Sequence, residues 1–502
     1  MKNHQIINIL KTFSDEDFNY FRDYLRSPFF NRSKQLLNMY EAIVNFRPQF
    51  NSKNLTKKKI HNKIFPTLEY KETTVSSLLV NLSYLAEDYL MYSNIKSNYL
   101  KSQDFLFNEL LKRKLFKLFE KNASEFERIL NDNRGVDVDN ILSKFYFETD
   151  KYNYNLINKS IAGKQMQDEN IELITNRGKH IIYYFIIQMI KQNLGLYTSK
   201  FNYDVDIENN FLIEFSKNIN FKEILEYLCD NSGDSEYSEV ACTYKHLYLM
   251  FSDFENEKHY YNFKEAFLKN SGLFSFDEKQ FLSTRLIQYC LSKNRVKGLD
   301  SIYNKELFEI YDLIVKNEYY KISYSDYLPV DLFRNIVILG LRLKKYKWID
   351  DFINNNRKKL PAEQRKNMYY YCHTKIYFER GMYSKALDNF SKIQLSSSTF
   401  KVDIKNMMLR TYYELNLIEN AHSLIDSYKH FLKTDKTISV ERKSAYRSFI
   451  NITQKLLEAR PIGKKPLLTY IEGRLKDKDN IFGRQWLIEK VSELREGFKS
   501  VG

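Results

Sequence analysis

The stretch that decides the fold is YYCHTKIYFERGMYSKALDNF, residues 370–390, together with a related stretch, LRTYYELNLIENAHSLI, residues 409–425. Both carry an aromatic residue, a turn residue and an alanine in the same order: Tyr377, Gly381 and Ala386, then Tyr412, Asn416 and Ala421. These copies are 35 residues apart, and a weaker copy centred on Ile349 lies 37 residues before Ala386. A self-match at such a period is typical of stacked helical hairpins.

The residue types in these copies suit two helices joined by a tight turn. Gly381 and Asn416 fall at the turn, where a left-handed backbone is easiest for glycine and asparagine. Ala386 and Ala421 are small enough for close contact between helices. Because a single hairpin cannot bury its apolar face, neighbouring hairpins must stack. We therefore interpret these residues as structural and not catalytic.

The composition of the whole chain also favours helices. Seven prolines and 14 glycines are few for 502 residues, whereas β-sandwiches and barrels need many turn residues. Apolar residues recur at spacings of three and four, most regularly from Val75 to Tyr89, which is the period of an amphipathic helix. We predict an all-α protein, mostly helical, built as an elongated α-solenoid of antiparallel helical hairpins.

The copies between residues 367 and 430 resemble the tetratricopeptide-repeat superfamily, although the copy around Ile349 lacks the small residue. This resemblance implies tetratricopeptide-like repeats in the C-terminal half. Other stretches resemble a family of uncharacterised helical proteins from Bacteroidetes-type bacteria: YLRSPFFN (24–31), FRNIVILGLRLKKYKWIDDFI (333–353), YFERGMYSKAL (377–387) and RTYYELNLIENAHSLIDSYKHFL (410–432). That second resemblance implies a helical fold and a bacterial cytoplasm, and it supplies no activity and no functional residues.

The pattern divides the chain into four regions. The polar segment NDNRGVDVDN, residues 131–140, is the best candidate boundary. We predict an N-terminal helical region (1–130), a middle helical-hairpin region (131–330), tetratricopeptide-like repeats (331–440) and C-terminal capping helices (441–502).

The net charge of +15 has two interpretations. A basic surface attracts anions such as nucleic acid or an acidic protein. The alternative is a lysine-rich composition spread over solvated helix faces, because the basic clusters are short and scattered, as in Lys57–Lys59 and Arg357–Lys359. A nucleic-acid-binding regulatory or defence role therefore stays open as the second functional hypothesis.

Cysteine usage and hydropathy indicate the compartment. Four cysteines, far apart in so long a chain, do not form a disulfide scaffold, and we expect buried, inert, reduced thiols. The first residues, MKNHQIINILKTFSDEDF, lack the apolar core of a signal peptide. The longest apolar run, Ile181–Ile190, is too short to cross a membrane. We expect a cytoplasmic protein with no membrane partner.

No motif for catalysis, a cofactor or a metal occurs in the sequence. There is no phosphate-binding glycine loop, no H-E-x-x-H and no G-x-S-x-G. The histidines are scattered, and no carboxylate pattern completes a metal site with His422 and His430. We expect no enzyme activity, no cofactor and no metal.

The resemblance to tetratricopeptide repeats implies a concave groove lined by the first helix of each repeat. Six residues are predicted to face this groove: Arg334, Arg342, Tyr371, Lys375, Asn406 and Arg410. Four of the six are cationic, and arginine and lysine suit carboxylate or phosphate capture. The predicted function is a scaffold or adaptor that binds a protein or acidic peptide.

The same spacing predicts Arg334, Lys375 and Arg410 on successive first helices, roughly 10 Å apart, the usual helix-packing distance. Aligned cations would repel one another, and an anionic ligand would relieve that repulsion. The oligomeric state has no sequence signal.

Overall fold

The structure is a computed structural model of the 502-residue chain, and it describes residues 1–132, 138–158, 164–203, 205–231, 235–297, 302–394, 398–460, 465–477 and 480–499. Across these ranges the chain forms 24 α-helices and no strand, with helix making up 79%. The predicted all-α fold is therefore confirmed. None of the helices in these ranges combines the length and the apolar content that crossing a membrane requires.

Two compact units divide the chain. Unit 1 comprises Met1–Asp132 and Leu142–His180, and unit 2 comprises Asn133–Ile141 and Ile181–Gly502. The division into four regions stays a prediction. Half of the predicted boundary at 131–140, residues 133–137, lies outside the described residues.

The described residues up to 203 form nine helices: α1 (Gln5–Leu10), α2 (Asp15–Arg26), α3 (Lys34–Val44), α4 (Lys57–Ile64), α5 (Glu72–Ser97), α6 (Tyr99–Lys112), α7 (Phe116–Asp132), α8 (Val138–Ile157) and α9 (Lys164–Tyr203).

Local sequence explains where α2 begins and ends. The Ser14 hydroxyl accepts from the backbone N–H of Asp17 at 3.1 Å, and the Asp17 carboxylate accepts from the backbone N–H of Ser14 at 2.9 Å. This reciprocal cap pairs two amide groups that a helix start otherwise leaves free. Pro28 follows Ser27, which is extended with ψ of 120°, because the residue before a proline avoids the helical conformation. The apolar face of α2, which includes Phe21, packs against α3 and α5. The ring centre of Phe21 lies 5.2 Å from the ring centre of Tyr40.

The described residues from 205 onward form fifteen helices: α10 (Phe211–Ser216), α11 (Phe221–Asn231), α12 (Ser235–Ser252), α13 (Glu257–Lys269), α14 (Phe276–Lys297), α15 (Tyr303–Lys316), α16 (Val330–Arg342), α17 (Tyr346–Asn356), α18 (Arg365–Glu379), α19 (Tyr383–Phe390), α20 (Ser398–Glu414), α21 (Ile418–Thr434), α22 (Val440–Ala459), α23 (Lys465–Asp477) and α24 (Arg484–Lys499).

The C-terminal half of unit 2 contains three hairpins, α16–α17, α18–α19 and α20–α21. Within each hairpin the two helices pack against each other, and α18 also contacts α16 and α20. The three turns share a residue with positive φ: Lys344 (55°), Gly381 (70°) and Asn416 (57°). In each turn the next N–H donates to a carbonyl five residues back: Lys345 to Gly340 (2.9 Å), Met382 to Tyr377 (2.8 Å) and Leu417 to Tyr412 (2.8 Å). This is the Schellman ending of a helix, and the predicted turn positions Gly381 and Asn416 are confirmed.

In the first of these hairpins, a small and a large residue have exchanged places relative to the two later hairpins. Ile349 occupies the position at which the later hairpins carry alanine, and Gly340 occupies the position at which they carry tyrosine. A Cβ atom built on Gly340 would lie only 2.8 Å from Cγ1 of Ile349. The small residue that the sequence lacks near Ile349 is therefore supplied by the opposite helix.

Candidate functional site

The six side chains predicted to line a groove all lie on α16, α18 and α20, the first helices of the three hairpins. The positions are counted back from the residue of positive φ in the turn of each hairpin. Ten residues before it, α16, α18 and α20 carry Arg334, Tyr371 and Asn406. Six residues before it, α18 and α20 carry Lys375 and Arg410. We call these five residues the first-helix row. The groove itself stays a prediction, and the surroundings of each side chain decide what the row can bind.

Arg334 is held inside the chain by an ion pair. Its Nε–H donates to Oδ2 of Asp403 at 2.7 Å and to the Tyr371 hydroxyl at 3.1 Å, and that hydroxyl donates to Asp403 at 2.7 Å. The Arg334 and Asp403 side chains are only 14% and 16% exposed. Burial alone would lower the pKa of Arg334, but Tyr371 and Asp403 raise it. The guanidinium therefore stays charged and already has its counter-ion.

Two members of the row are buried. Tyr371 has no exposed surface, and its ring meets Phe400 edge-on at 5.0 Å. Asn406 is 2% exposed, and its Oδ1 accepts a hydrogen bond from the Tyr428 hydroxyl at 3.0 Å. Its Nδ2 has no partner among the described residues. The structure thus gives Tyr371 and Asn406 internal packing roles in place of the groove-facing positions that the sequence predicts.

Lys375 is the first cation of the row without a direct partner. Its side chain is half-buried, and within the described ranges it makes no hydrogen bond and no ion pair. Burial lowers the pKa of Lys375; the charges of Asp403 and Glu379 act in the opposite direction, and that of Arg410 lowers it further. The ammonium group is therefore close to carboxylates but is not neutralised by one.

Arg410 is the second cation of this kind. Its guanidinium carbon lies 4.6 Å from the ring centre of Phe378 and 5.2 Å from that of Trp486. Its buried Nε–H has no hydrogen-bond acceptor in the part of the chain that the structure describes. Burial lowers the pKa of Arg410, and the negative charge of Glu379 acts in the opposite direction by raising it. The guanidinium therefore packs beside two aromatic rings and makes no hydrogen bond within the described chain.

Arg342 lies outside the row. It is exposed, and its Nη1 is 3.4 Å from Oδ1 of Asn304, which is a weak contact. The corresponding positions in the next two hairpins carry Glu379 and Glu414, so the positive charge of Arg342 is not repeated along the hairpins.

The expected line of mutually repelling cations is therefore corrected. Arg334 is neutralised by Asp403, a residue that sequence reasoning missed although it lies three residues before Asn406 and seven before Arg410, on the same helix face. Glu414, at the end of the same face, accepts from Lys490 at 3.0 Å and from the Trp486 indole at 2.7 Å. Of the three cations expected to repel one another, Lys375 and Arg410 make no ion pair among the described residues.

A second candidate is a surface pocket of about 390 Å³ lined by α12 and α13, which includes Cys242, His246 and Asn262. A hydrogen bond with the Cys229 thiol lowers the pKa of Cys242 to about 7 and raises that of Cys229. Burial lowers the pKa of His246. All four cysteines are free, but half-buried Cys242 departs from the expectation of four buried, inert thiols.

Unit 1 contains a pair of unusual carboxylates. Burial raises the pKa of Asp104 on α6 to about 6, and burial together with the charge of Asp104 raises that of Asp150 on α8 to about 7. Asp150 is 5% exposed, and Oδ1 of Asp104 has no partner among the described residues. No group of three or more potential metal ligands occurs in the described ranges.

Comparisons with protein-family models, with curated proteins and with solved structures found no match to this chain. The resemblances to tetratricopeptide repeats and to bacterial helical proteins therefore stay predictions.

Proposed function

We propose that the protein is a cytoplasmic, non-catalytic scaffold whose tetratricopeptide-like hairpins bind an acidic segment or a chain terminus of a partner protein. In this proposal the hairpins α16–α21 continue a solenoid, and its concave side presents Lys375 and Arg410 to the partner. The common turn geometry of the three hairpins and the contacts of α18 with α16 and α20 support a repeated stack.

The observation that carries the proposal is the pair of uncommitted, partly buried cations. Lys375 makes no ion pair, and Nε of Arg410 has no acceptor, in the described chain. Burial disfavours the charged form of each, and a carboxylate placed between them would favour it. The planar guanidinium is held against two aromatic rings, so a carboxylate can accept two parallel hydrogen bonds from it at little cost in side-chain entropy.

The charges around these cations favour a short acidic segment over nucleic acid. Asp403, Glu379 and Glu414 lie on the same helices as the two free cations. A phosphate backbone gains affinity by neutralising many charges along a continuous basic track, and interspersed carboxylates would repel it. One or two carboxylates of a peptide need only the local pair.

The test measures binding of a labelled oligoglutamate peptide, with a free or an amidated carboxyl terminus, by fluorescence anisotropy. We expect Lys375→Met/Arg410→Met to weaken binding by about tenfold or more, which is the effect of losing one charge-assisted contact. Methionine keeps much of the apolar side-chain volume. This choice matters because Arg410 is packed between rings, and charge reversal there would destabilise the fold.

Lys405→Met is the control for the loss of a single positive charge from the same helix, α20. Lys405 lies on α20 and is half-buried, but it donates to Ser427 at 3.2 Å and is outside the first-helix row. Equal losses in the control and in the double variant would show that binding depends on general charge. A labelled DNA duplex and a single strand are measured in parallel, and tight binding of either that survives the double variant would favour a nucleic-acid role.

A further inference from the structure

A second polar cavity lies at the C-terminal end of unit 2. It has a volume of about 400 Å³ and is lined by α22, α23 and Ile481. Its polar lining residues from α22 are Ser444, Arg447, Ser448, Asn451, Gln454, Lys455 and Glu458, and those from α23 are Tyr470 and Arg474. The cavity shares no residue with the first-helix row.

The lining carries three cations and one carboxylate. Across the described ranges, Arg447 and Arg474 make no hydrogen bond and no ion pair through their side chains. The Lys455 ammonium lies 4.7 Å from the centre of the Tyr470 ring. Arg447 and Arg474, from different helices, are therefore two exposed and uncommitted guanidinium groups at a cavity whose one lining carboxylate is Glu458, which leaves the lining with a net positive charge.

The remaining polar groups of the lining can donate hydrogen bonds. Ser444, Ser448 and Asn451 have no side-chain hydrogen bond in the described chain. They lie on successive turns of α22, at spacings of three and four residues from Arg447 or from one another, so they share one helix face. Hydroxyl and amide donors beside arginines are the groups that complete a phosphate site.

We propose that this cavity binds a small phosphate-bearing ligand of about nucleotide size, such as a nucleoside monophosphate or a sugar phosphate. Arg447 and Arg474 hold the phosphate from its two sides, because guanidinium groups match its tetrahedral oxygens with pairs of donors. The volume falls within the range of about 300–1,000 Å³ that small-molecule sites occupy. Tyr470, which is 49% exposed, provides ring surface for the rest of the ligand. This site is independent of the proposed partner-binding role.

Isothermal titration calorimetry on the full chain tests the proposal with adenosine monophosphate, ribose 5-phosphate, inorganic phosphate and adenosine. We expect the three phosphate compounds to bind and adenosine not to bind. Tighter binding of the monophosphate than of ribose 5-phosphate identifies a nucleotide ligand, and the reverse order identifies a sugar phosphate. Arg447→Ala/Arg474→Ala should weaken binding by about tenfold or more.

Two further variants separate the pocket from the general charge of the chain. Arg442→Ala/Lys476→Ala removes the same charge from exposed positions of α22 and α23 outside the lining, and it should change affinity by about twofold at most. Asn451→Trp fills the cavity at an exposed position without changing charge, and it should abolish binding even if the arginine variant does not fold.

Three results would overturn the proposal. They are absence of binding by every phosphate compound, binding of adenosine as tight as that of its monophosphate, and equal losses in the pocket and control variants. Binding of a single-stranded oligonucleotide that depends on Arg447 and Arg474, without binding of the mononucleotide, would reassign the cavity to nucleic acid.

Discussion

Replacing Asp403 with asparagine should weaken the fold of unit 2 and strengthen anion binding at the same time. The substitution leaves the Arg334 guanidinium, 14% exposed, without its counter-ion. Breaking a buried ion pair on one side costs about 3–5 kcal/mol. The amide oxygen can still accept one hydrogen bond, from Arg334 or from the Tyr371 hydroxyl, so we expect a loss of about 2–3 kcal/mol in the free energy of unfolding.

The gain in binding has a separate origin. Asp403 is the largest favourable charge acting on Lys375, and its removal leaves the ammonium group less neutralised. The loss of one nearby unit charge changes the interaction energy of a partly buried cation by on the order of 1 kcal/mol. We therefore expect Asp403→Asn to bind oligoglutamate about fivefold more tightly.

Urea unfolding followed by tryptophan fluorescence measures the change in the free energy of unfolding of unit 2, because both tryptophans, Trp348 and Trp486, belong to that unit. Asp331→Asn is the control, since Asp331 is exposed and occupies the position of Asp403 in the first hairpin. It should cost less than about 1 kcal/mol, the scale of a carboxylate at a helix start. A stability loss below 1 kcal/mol for Asp403→Asn, or weaker peptide binding, would refute the assigned ion pair or its effect on Lys375.

Other substitutions test packing, thiol chemistry and proton uptake. Gly340→Ala should destabilise unit 2 by about 1–2 kcal/mol in urea unfolding, because the new Cβ meets Ile349 at 2.8 Å. Cys242 should react with iodoacetamide faster than the other cysteines, with a rate that rises through pH 7 as its thiolate forms; mass spectrometry of the alkylated chain reads this out. The pKa values of Asp104 and Asp150 are raised, so folded unit 1 binds more protons than the unfolded chain and should lose stability as pH rises from about 4 to 7. Asp150→Asn should remove most of this loss and be about 2–4 kcal/mol more stable than the wild type at pH 8, as measured by thermal or urea unfolding.

Each of these predictions can be checked by a comparison with another residue or variant of the same chain. Gly473→Ala, on a helix with nothing within 4 Å of the new Cβ, should stabilise by about 0.5–1 kcal/mol, and an equal gain for Gly340→Ala would contradict the close contact. Cys372 is fully buried, so comparable alkylation rates for Cys242 and Cys372 would contradict the lowered pKa. A pH profile unchanged by Asp150→Asn would show that the carboxylate pair is not the source of the proton uptake.

The sequence predicts those features that depend on neighbouring residues. The left-handed turns at Gly381 and Asn416 follow from local backbone chemistry, and the structure confirms them. The third turn, at Lys344, has no such signal, because lysine is not a residue that favours positive φ.

Features that depend on distant residues were harder to predict. Arg334 and Asp403 are 69 residues apart, and the spacing of arginines and lysines alone suggested free cations where one is paired. The sequence does not specify which residues of different hairpins come into contact, so it does not predict that Asp403 lies beside Arg334. The hydrogen bond between the free thiols of Cys229 and Cys242 is not predictable for the same reason. The two thiols lie on consecutive helices, α11 and α12, and the sequence does not specify which sides of these helices face each other.

The reversed sizes of Gly340 and Ile349 limit how these hairpins can be rearranged by genetic recombination. A crossover inside a turn that joined α16 to α19 would place Gly340 opposite Ala386 and leave a void, and a void of several methyl groups costs about 2–5 kcal/mol. The reciprocal product, α18 joined to α17, would set Tyr377 against Ile349 with too little space. Crossovers outside the first hairpin keep Gly340 with Ile349, so this hairpin has to be exchanged as a whole. The second and third hairpins carry the same tyrosine and alanine at these positions, so a crossover between their turns creates no such mismatch.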